Sequence, residues 1–305
     1  MARSPQLQGL AAMIAASTIW GLSSLFYKLL ADVPPLEVLA HRTLWSLLAL
    51  AGVLALQGRA RQILACLATP RLFLLTVLAS LLIGSNWLGF IYSVQVGKAL
   101  QASLGYYIFP LVTVILGRLV FGDRLRPVQW VAVALAALAV TILTAGLGIV
   151  PRIALMLAVT FALYGALKRM VPGGAGASVA AEVLVLAPFA LLWLIGVHLW
   201  DWTGLTGRTG GVFGTDLGVS LLLILSGPLT GLPLLLFSYA ARRVSLPTVG
   251  LVQYLNPTLQ FLIAVLIFGE PFTVWHMIAF ALIWSGLTLY SLDSLRYRHH
   301  SRPPA

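Results

Sequence analysis

The sequence predicts an all-α polytopic membrane protein, with ten transmembrane helices arranged as two inverted five-helix repeats. Three observations predict it: an apolar composition, apolar runs of spanning length, and an internal repeat whose copies carry opposite loop charge. Hydrophobic residues make up 60% of the 305-residue chain and charged residues 9%, against about a quarter charged in soluble domains. Mean hydropathy is +0.98. The runs are roughly twenty residues long, the length a helix rising about 1.5 Å per residue needs to cross about 30 Å of hydrocarbon. A barrel would show short segments of alternating polarity, whereas 72–82 and 131–143 are apolar on every face.

Taken in order, the expected spans are 9–30, 37–57, 72–96, 101–121, 127–146, 151–169, 179–200, 217–240, 248–268 and 273–294. The first follows a single basic residue, Arg3, and is longer than the apolar region of a signal peptide, so it reads as an uncleaved helix. The second holds Glu37, His41 and Arg42; the third holds Ser85-Asn86-Trp87. The fourth and ninth each carry an internal proline, Pro110 and Pro257. The segment 295–305 is basic and polar, and is expected to be a mobile tail close to anionic lipid.

Net charge is +11, and the arginines and lysines sort by loop. With the N-terminus inside, Arg3, Arg59, Arg61, Arg71, Arg118, Arg124, Arg126, Lys168, Arg169, Arg242, Arg243, Arg296, Arg298 and Arg302 fall on the cytoplasmic side. Lys28, Lys98, Arg152 and Arg208 fall outside, and Arg42 lies within a span. Fourteen against four places both termini in the cytoplasm and the protein in the inner (plasma) membrane. The basic excess is thus an orientation signal and a lipid contact; no nucleic-acid groove accompanies it.

Shifting the chain by 147 positions aligns 104–123, LGYYIFPLVTVILGRLVFGD, with 251–270, LVQYLNPTLQFLIAVLIFGE, without a gap. Leu104, Tyr107, Pro110, Leu119, Phe121 and Gly122 recur as Leu251, Tyr254, Pro257, Leu266, Phe268 and Gly269, and Asp123 becomes Glu270. Two halves follow, 1–146 and 151–294. Five helices is an odd number, so the second half enters from the opposite side. The loops agree: FGDRLRP carries two arginines and FGEPFTV none.

The segments VPPLEVLAHRTLWSLL (33–48), LIGSNWLGFIYSVQVGKALQASLGYYIFPLVTVILG (82–117), LVQYLNPTLQF (251–261) and FGEPFT (268–273) resemble the RarD-type permeases of the EamA family, within the drug/metabolite transporter superfamily. The resemblance runs from about Gly9 to Asp293. It implies two EamA-like halves, a central substrate cavity and export or exchange of a small metabolite. The RarD branch is associated by name with chloramphenicol sensitivity, and the resemblance leaves the substrate open.

A cavity is expected where polar and small residues share a face. On the ninth span Gly250, Gln253, Pro257, Gln260 and Ala264 do so; their mates are Ser103, Tyr106, Pro110, Thr113 and Gly117. Each proline frees a carbonyl four residues back, at Tyr106 and Gln253. Tyr107 and Tyr254, identical at matched positions, join the substrate-binding set. Asn256 either satisfies the local backbone or points at a ligand. Asn86 is expected to face the bundle interior, and Trp87 either stacks a ligand or packs between helices.

Arg42 and His41 are expected to bind substrate or an anion; Arg42 snorkelling to headgroups is the alternative. Glu37 and His41, four residues apart, form a candidate proton-responsive pair, with Glu182 at the corresponding place in the seventh span. Ser17, Gly21, Ser24 and Lys28 form a small-polar stripe read as helix packing. Asp123 and Glu270 follow Phe-Gly and read as helix-end residues.

No HExxH, GxSxG or phosphate-binding GxxxxGK[ST] occurs, so neither an enzyme nor a chain-encoded ATP motor is expected. The single cysteine, Cys66, forms no intramolecular disulfide, and no metal site or cofactor is expected. The expected function is secondary-active transport of a small molecule by alternating access. The alternative is a non-transporting membrane protein, an enzyme or a sensor, that reuses the bundle. Oligomeric state is left open.

Overall fold

In a computed structural model, residues 5–122, 125–171, 174–244 and 246–300 are described, without the side chains of 246–247 and 294–300. They form helices α1 (Pro5–Leu29), α2 (Pro35–Leu56), α3 (Arg61–Ala65), α4 (Pro70–Gln95), α5 (Ala99–Phe121), α6 (Pro127–Leu147), α7 (Arg152–Lys168), α8 (Ala175–Trp200), α9 (Leu217–Ala241), α10 (Leu246–Gln253), α11 (Leu255–Leu262) and α12 (Val274–His300). Among the described residues nine helical segments are long and apolar enough to cross a membrane. Helix α7, with 17 residues, spans about 26 Å and falls just short of that length.

Punctuation residues set the boundaries. Pro35, Pro70 and Pro127 open α2, α4 and α6 at positions whose N–H has no helical partner. The spans read from the sequence begin later at α2 and α4 because they start at the first sustained apolar run. Thr69 and Asp216 cap α4 and α9, accepting from Leu72 N (3.2 Å) and Val219 N (2.7 Å). Gly122 and Gly269, with φ of +70° and +65°, end the matched segments in the left-handed conformation that glycine adopts without a Cβ clash.

Two stretches differ from the expected pattern. The ninth span is broken: α10 stops at Gln253, Tyr254 is a turn, α11 follows, and a π-helical turn covers Ile263–Ile267. Pro257 has no N–H for Gln253, four residues back, so the break falls at the carbonyl it frees. Pro110 does the same to Tyr106, yet α5 continues through it. Beyond Asp293, α12 continues to His300, so part of the expected tail is helical; 295–300 contains no proline or glycine to stop it. Residues 301–305, with Arg302, lie outside the described residues, as do Arg3, Asp123 and Arg124.

The helices pack as α2 on α8 and α9, α4 on α7 and α8, α1 on α9 and α11, α5 on α7 and α11, and α6 on α12. Close crossings use glycine. A Cβ at Gly227 would lie 2.3 Å from the Trp45 carbonyl carbon on α2, and one at Gly105 2.6 Å from Ala154 O on α7. In the expected packing stripe on α1, Ser17, Gly21 and Ser24 are buried, and Gly21 abuts Leu259 and the Asn256 carbonyl. Outward-facing side chains are apolar, among them Phe189, Leu221 and Leu266 (74% exposed), a surface suited to lipid rather than water.

One face of the bundle is tied shut. Glu270 accepts from Ala99 N (2.6 Å) and Leu100 N (2.8 Å) at the start of α5. Glu37, at the start of α2, accepts from Gly211 N (3.0 Å) and Val212 N (3.2 Å) in the connection between α8 and α9. Gln95, ending α4, donates to Leu30 O (2.9 Å) and Val33 O (3.0 Å), and Arg208 donates to Ala31 O. The opposite face gathers the start of α1 and the ends of α9, α5 and α7: Tyr239 donates to Gln8 Oε1 (2.9 Å), and Arg169 lies over the Phe121 ring (5.3 Å).

Candidate functional site

A cavity of about 680 Å³ lies inside the bundle, within the range of small-molecule sites. Its far end, near the closed face, is walled by Tyr27, Arg42, Trp87 and Phe90. Its other end reaches Lys168, the last residue of α7, Ala175, the first of α8, and Leu251 on α10. The middle is walled by the two matched segments: Tyr106, Pro110 and Thr113 from α5, and Gly250, Gln253, Tyr254, Asn256, Pro257 and Gln260 from α10 and α11.

These two segments also touch each other. The rings of Tyr107 and Tyr254, mates in the 147-residue alignment, stack with centroids 6.5 Å apart and planes 13° apart. Ser103 donates to Pro257 O (2.9 Å), a carbonyl beside the helix break, and Tyr107 and Thr258 share a hydrogen bond of 2.6 Å. Gln260 donates to Asn256 Oδ1 (2.9 Å), while Gln260 Oε1 has no protein partner.

Asn86 is fully engaged on α4. Its Nδ2 donates to Leu157 O and Thr160 Oγ1, each 3.0 Å away on α7, and its Oδ1 accepts from Tyr106 OH at 3.0 Å. It therefore fixes the Tyr106 hydroxyl at the cavity wall while paying no penalty for an unmet amide. Arg42 is buried; its Nε–H donates to Thr230 Oγ1 at 2.9 Å, and its guanidinium carbon lies 4.2 Å from the Trp87 ring centroid and 5.5 Å from that of Tyr27. Thr230 donates in turn to Ser226 O (3.0 Å), so its oxygen faces the arginine.

At the other end Lys168 binds Glu182 Oε1 (2.5 Å) and Ser178 Oγ, and Glu182 Oε2 accepts from Tyr164 OH at 3.0 Å. Lys168 and Tyr164 line the cavity; Glu182 is buried behind them.

Curated relatives match nearly end to end. An uncharacterized transporter of Vibrio cholerae is 42% identical over 97% of this chain and 95% of its own length. The chain belongs to the EamA-like transporter family. That family's profile matches residues 7–145. Protein RarD of Salmonella typhimurium is 38% identical over 94% of this chain and 96% of its own, and the chloramphenicol-sensitive protein RarD of Pseudomonas aeruginosa 30% identical over 95% of each. A solved crystal structure, described only as that of a protein, superposes with a TM-score of 0.58 at 21% identity, covering 95% of this chain and 98% of the other. At that identity the likeness concerns the fold.

This EamA-family chain thus brings most of the residues singled out in its sequence to one cavity: Arg42, Asn86, Trp87, Tyr106, Pro110, Gln253, Tyr254, Asn256, Pro257 and Gln260 all line it. His41 is placed elsewhere, its ring stacked on Phe213 with centroids 4.6 Å apart. Tyr107 packs behind the wall against Phe280 and Trp284. Glu37 is bound to backbone N–H groups rather than to His41. A Cβ at Gly210 would sit 2.5 Å from its carboxylate, so the connection needs glycine there.

Three features lay outside the sequence reading. Thr230, which orients Arg42, had no spacing that tied it to α2. Lys168 reads in the sequence only as a cytoplasmic-side charge ending the sixth span, although Ser178 and Glu182, four residues apart on α8, form a polar pair that points to it. Glu270 read as a helix-end residue, but its carboxylate bonds the start of a different helix.

Proposed function

We propose that this protein is a secondary-active transporter that carries a small metabolite or drug-like molecule across the inner membrane by alternating access, its ten helices forming two inverted repeats, 1–146 and 151–294. The observation that carries the reading is the cavity. Its walls are the sequence-matched faces of α5 and α10–α11, one from each half, and it is shut toward one face while reaching helix ends at the other.

The helix packing supports the duplication. Exchanging the halves turns α5 on α7 into α11 on α1, α2 on α9 into α8 on α4, and α1 on α9 into α7 on α4, and all of these pairs are in contact. The family profile, ending at residue 145, supports the same boundary. Two halves related in this way can exchange shapes, so that the closed face opens as the open face closes. The loop charges support a cytoplasmic position for both termini, and on that orientation the cavity is inward-open. A proton gradient is the proposed driver. Glu37 bonds the closed face and Glu182 holds Lys168 at the open end, so the protonation state of each carboxyl is tied to contacts that one face makes.

Proteoliposomes test this with labelled amines, organic acids and chloramphenicol, the last because one relative is named for it. At least one solute is expected to show saturable flux. Gly250 lines the cavity, and nothing lies within 4 Å of a Cβ built there. Gly250→Trp is therefore expected to fold and to cut flux roughly tenfold by filling the passage, while Gly250→Ala leaves it intact. No saturable flux from well-folded protein would favour the membrane enzyme or sensor. An imposed pH gradient that leaves the initial rate unchanged would remove the proton coupling.

A further inference from the structure

The two cations of the cavity wall, Arg42 and Lys168, differ in what neutralises them. Lys168 has a carboxylate, Glu182, at 2.5 Å. Arg42 forms no ion pair among the described residues. No aspartate, glutamate or histidine lines the cavity. The cavity wall thus carries one buried positive charge that none of its side chains compensates, an arrangement that costs free energy unless something else supplies the anion.

The geometry says which part of Arg42 remains available. The Nε–H is used by Thr230, and the guanidinium carbon lies over the Trp87 ring, 4.2 Å from its centroid. The two terminal Nη groups have no hydrogen-bond partner among the described residues. A guanidinium held in this way offers a planar edge of N–H donors, the fork that matches the two oxygens of a carboxylate. Around it the walls are Tyr27, Trp87, Phe90, Tyr106 and Phe161, which favour a flat apolar body over a heavily hydrated one.

We infer that the cargo is an organic anion: a carboxylate on an apolar, aromatic body, its two oxygens bound by the Nη edge of Arg42. The inference rests on the transporter reading and deepens it. An amine meets an uncompensated positive charge in this cavity. A zwitterion brings an ammonium for which the wall offers no free carboxylate, since Glu182 is taken by Lys168 and Tyr164.

Binding to purified protein in nanodiscs, by isothermal calorimetry, tests it with four probes that share a ring: phenylacetate, phenylacetamide, phenethylamine and phenyl phosphate. Phenylacetate is expected to bind at least about tenfold more tightly than the amide or the amine. Arg42→Gln is expected to abolish that preference and Arg42→Lys to weaken it. Should Arg42→Gln fail to fold, Thr230→Val, which removes the Nε partner at nearly constant volume, is expected to weaken phenylacetate severalfold and leave the amide unchanged.

The inference is overturned if the amide or amine equals the acid, if either folded variant keeps the full preference, if phenyl phosphate binds tenfold more tightly than the carboxylate, or if none of the four binds at millimolar concentration. Phenylacetate binding without flux would sink the transporter reading and keep the anion site. Saturable flux of the amine alone would do the reverse.

Discussion

A charged residue at the end of an apolar run has two fates, a solvated loop or a partner inside the bundle, and Lys168 takes the second. Counted by position it is one more cytoplasmic charge; in the fold it is half-buried and pairs with the buried Glu182. Removing one partner leaves the other charge buried alone. Lys168→Met is expected to destabilise the protein by about 3–5 kcal/mol, and the double variant Lys168→Met/Glu182→Gln by clearly less. Thermal unfolding in detergent checks the order; equal losses would mean the pair is solvated.

The same scale shows what single residues made legible. Gln253, Asn256 and Gln260 were marked because each is costly in hydrocarbon, and all three do line the cavity. Arg42 was marked for the same reason, whereas its Thr230 partner, 188 positions away, was hidden because a threonine in a membrane helix costs little and so signals little.

At the scale of elements, helix starts and ends were legible to within a few residues, since proline, glycine and capping residues act locally. The unequal effect of the matched prolines was not: Pro257 splits its helix at Tyr254, and Pro110 leaves α5 continuous. The two local sequences do not encode that difference. The short α3 was likewise missed, being a five-residue turn of helix within a connection.

The connection after Ile267 also does more than end a helix. Glu270 is buried against the start of α5, where two N–H groups and the helix dipole favour its negative form, as does Lys28 nearby. Burial outweighs them and holds the carboxyl above the ordinary carboxylate range. When the seal opens, the group returns to an ordinary value of about 4.3. The sealed form thus binds the proton more tightly, and lowering the pH through the interval between the two values favours sealing.

With Cys66→Ser as background, a cysteine replacing the buried Val94 beneath this face reports the opening through an impermeant maleimide. Labelling, measured relative to a Glu270→Gln control, is expected to slow as pH falls through that interval. Glu270→Ala, which loses about 1 kcal/mol of capping, is expected to label several times faster at neutral pH. Labelling that speeds up on acidification relative to the control would reverse the sign and contradict the assignment.

For the whole molecule, run length and the positive-inside count led to a helical bundle with little room for another architecture, and the 147-residue shift identified the two segments that meet at the cavity. How those segments meet was not legible, because stacking of Tyr107 on Tyr254 and the sealing contacts at Glu37, Gln95 and Glu270 join residues far apart in the chain. Under the proposed alternating access, the sealing contacts at Glu37, Gln95 and Glu270 break and reform in each cycle.

The most direct test of alternating access freezes the seal. In the Cys66→Ser background, cysteines replacing the exposed Lys98 and Pro271, which flank the Glu270 contact, are joined by a bifunctional methanethiosulfonate, and flux of the organic-acid panel is followed in proteoliposomes. Cross-linking is expected to abolish flux and leave phenylacetate binding intact, and reductant is expected to restore the flux. Undiminished flux through the cross-linked protein would contradict alternating access.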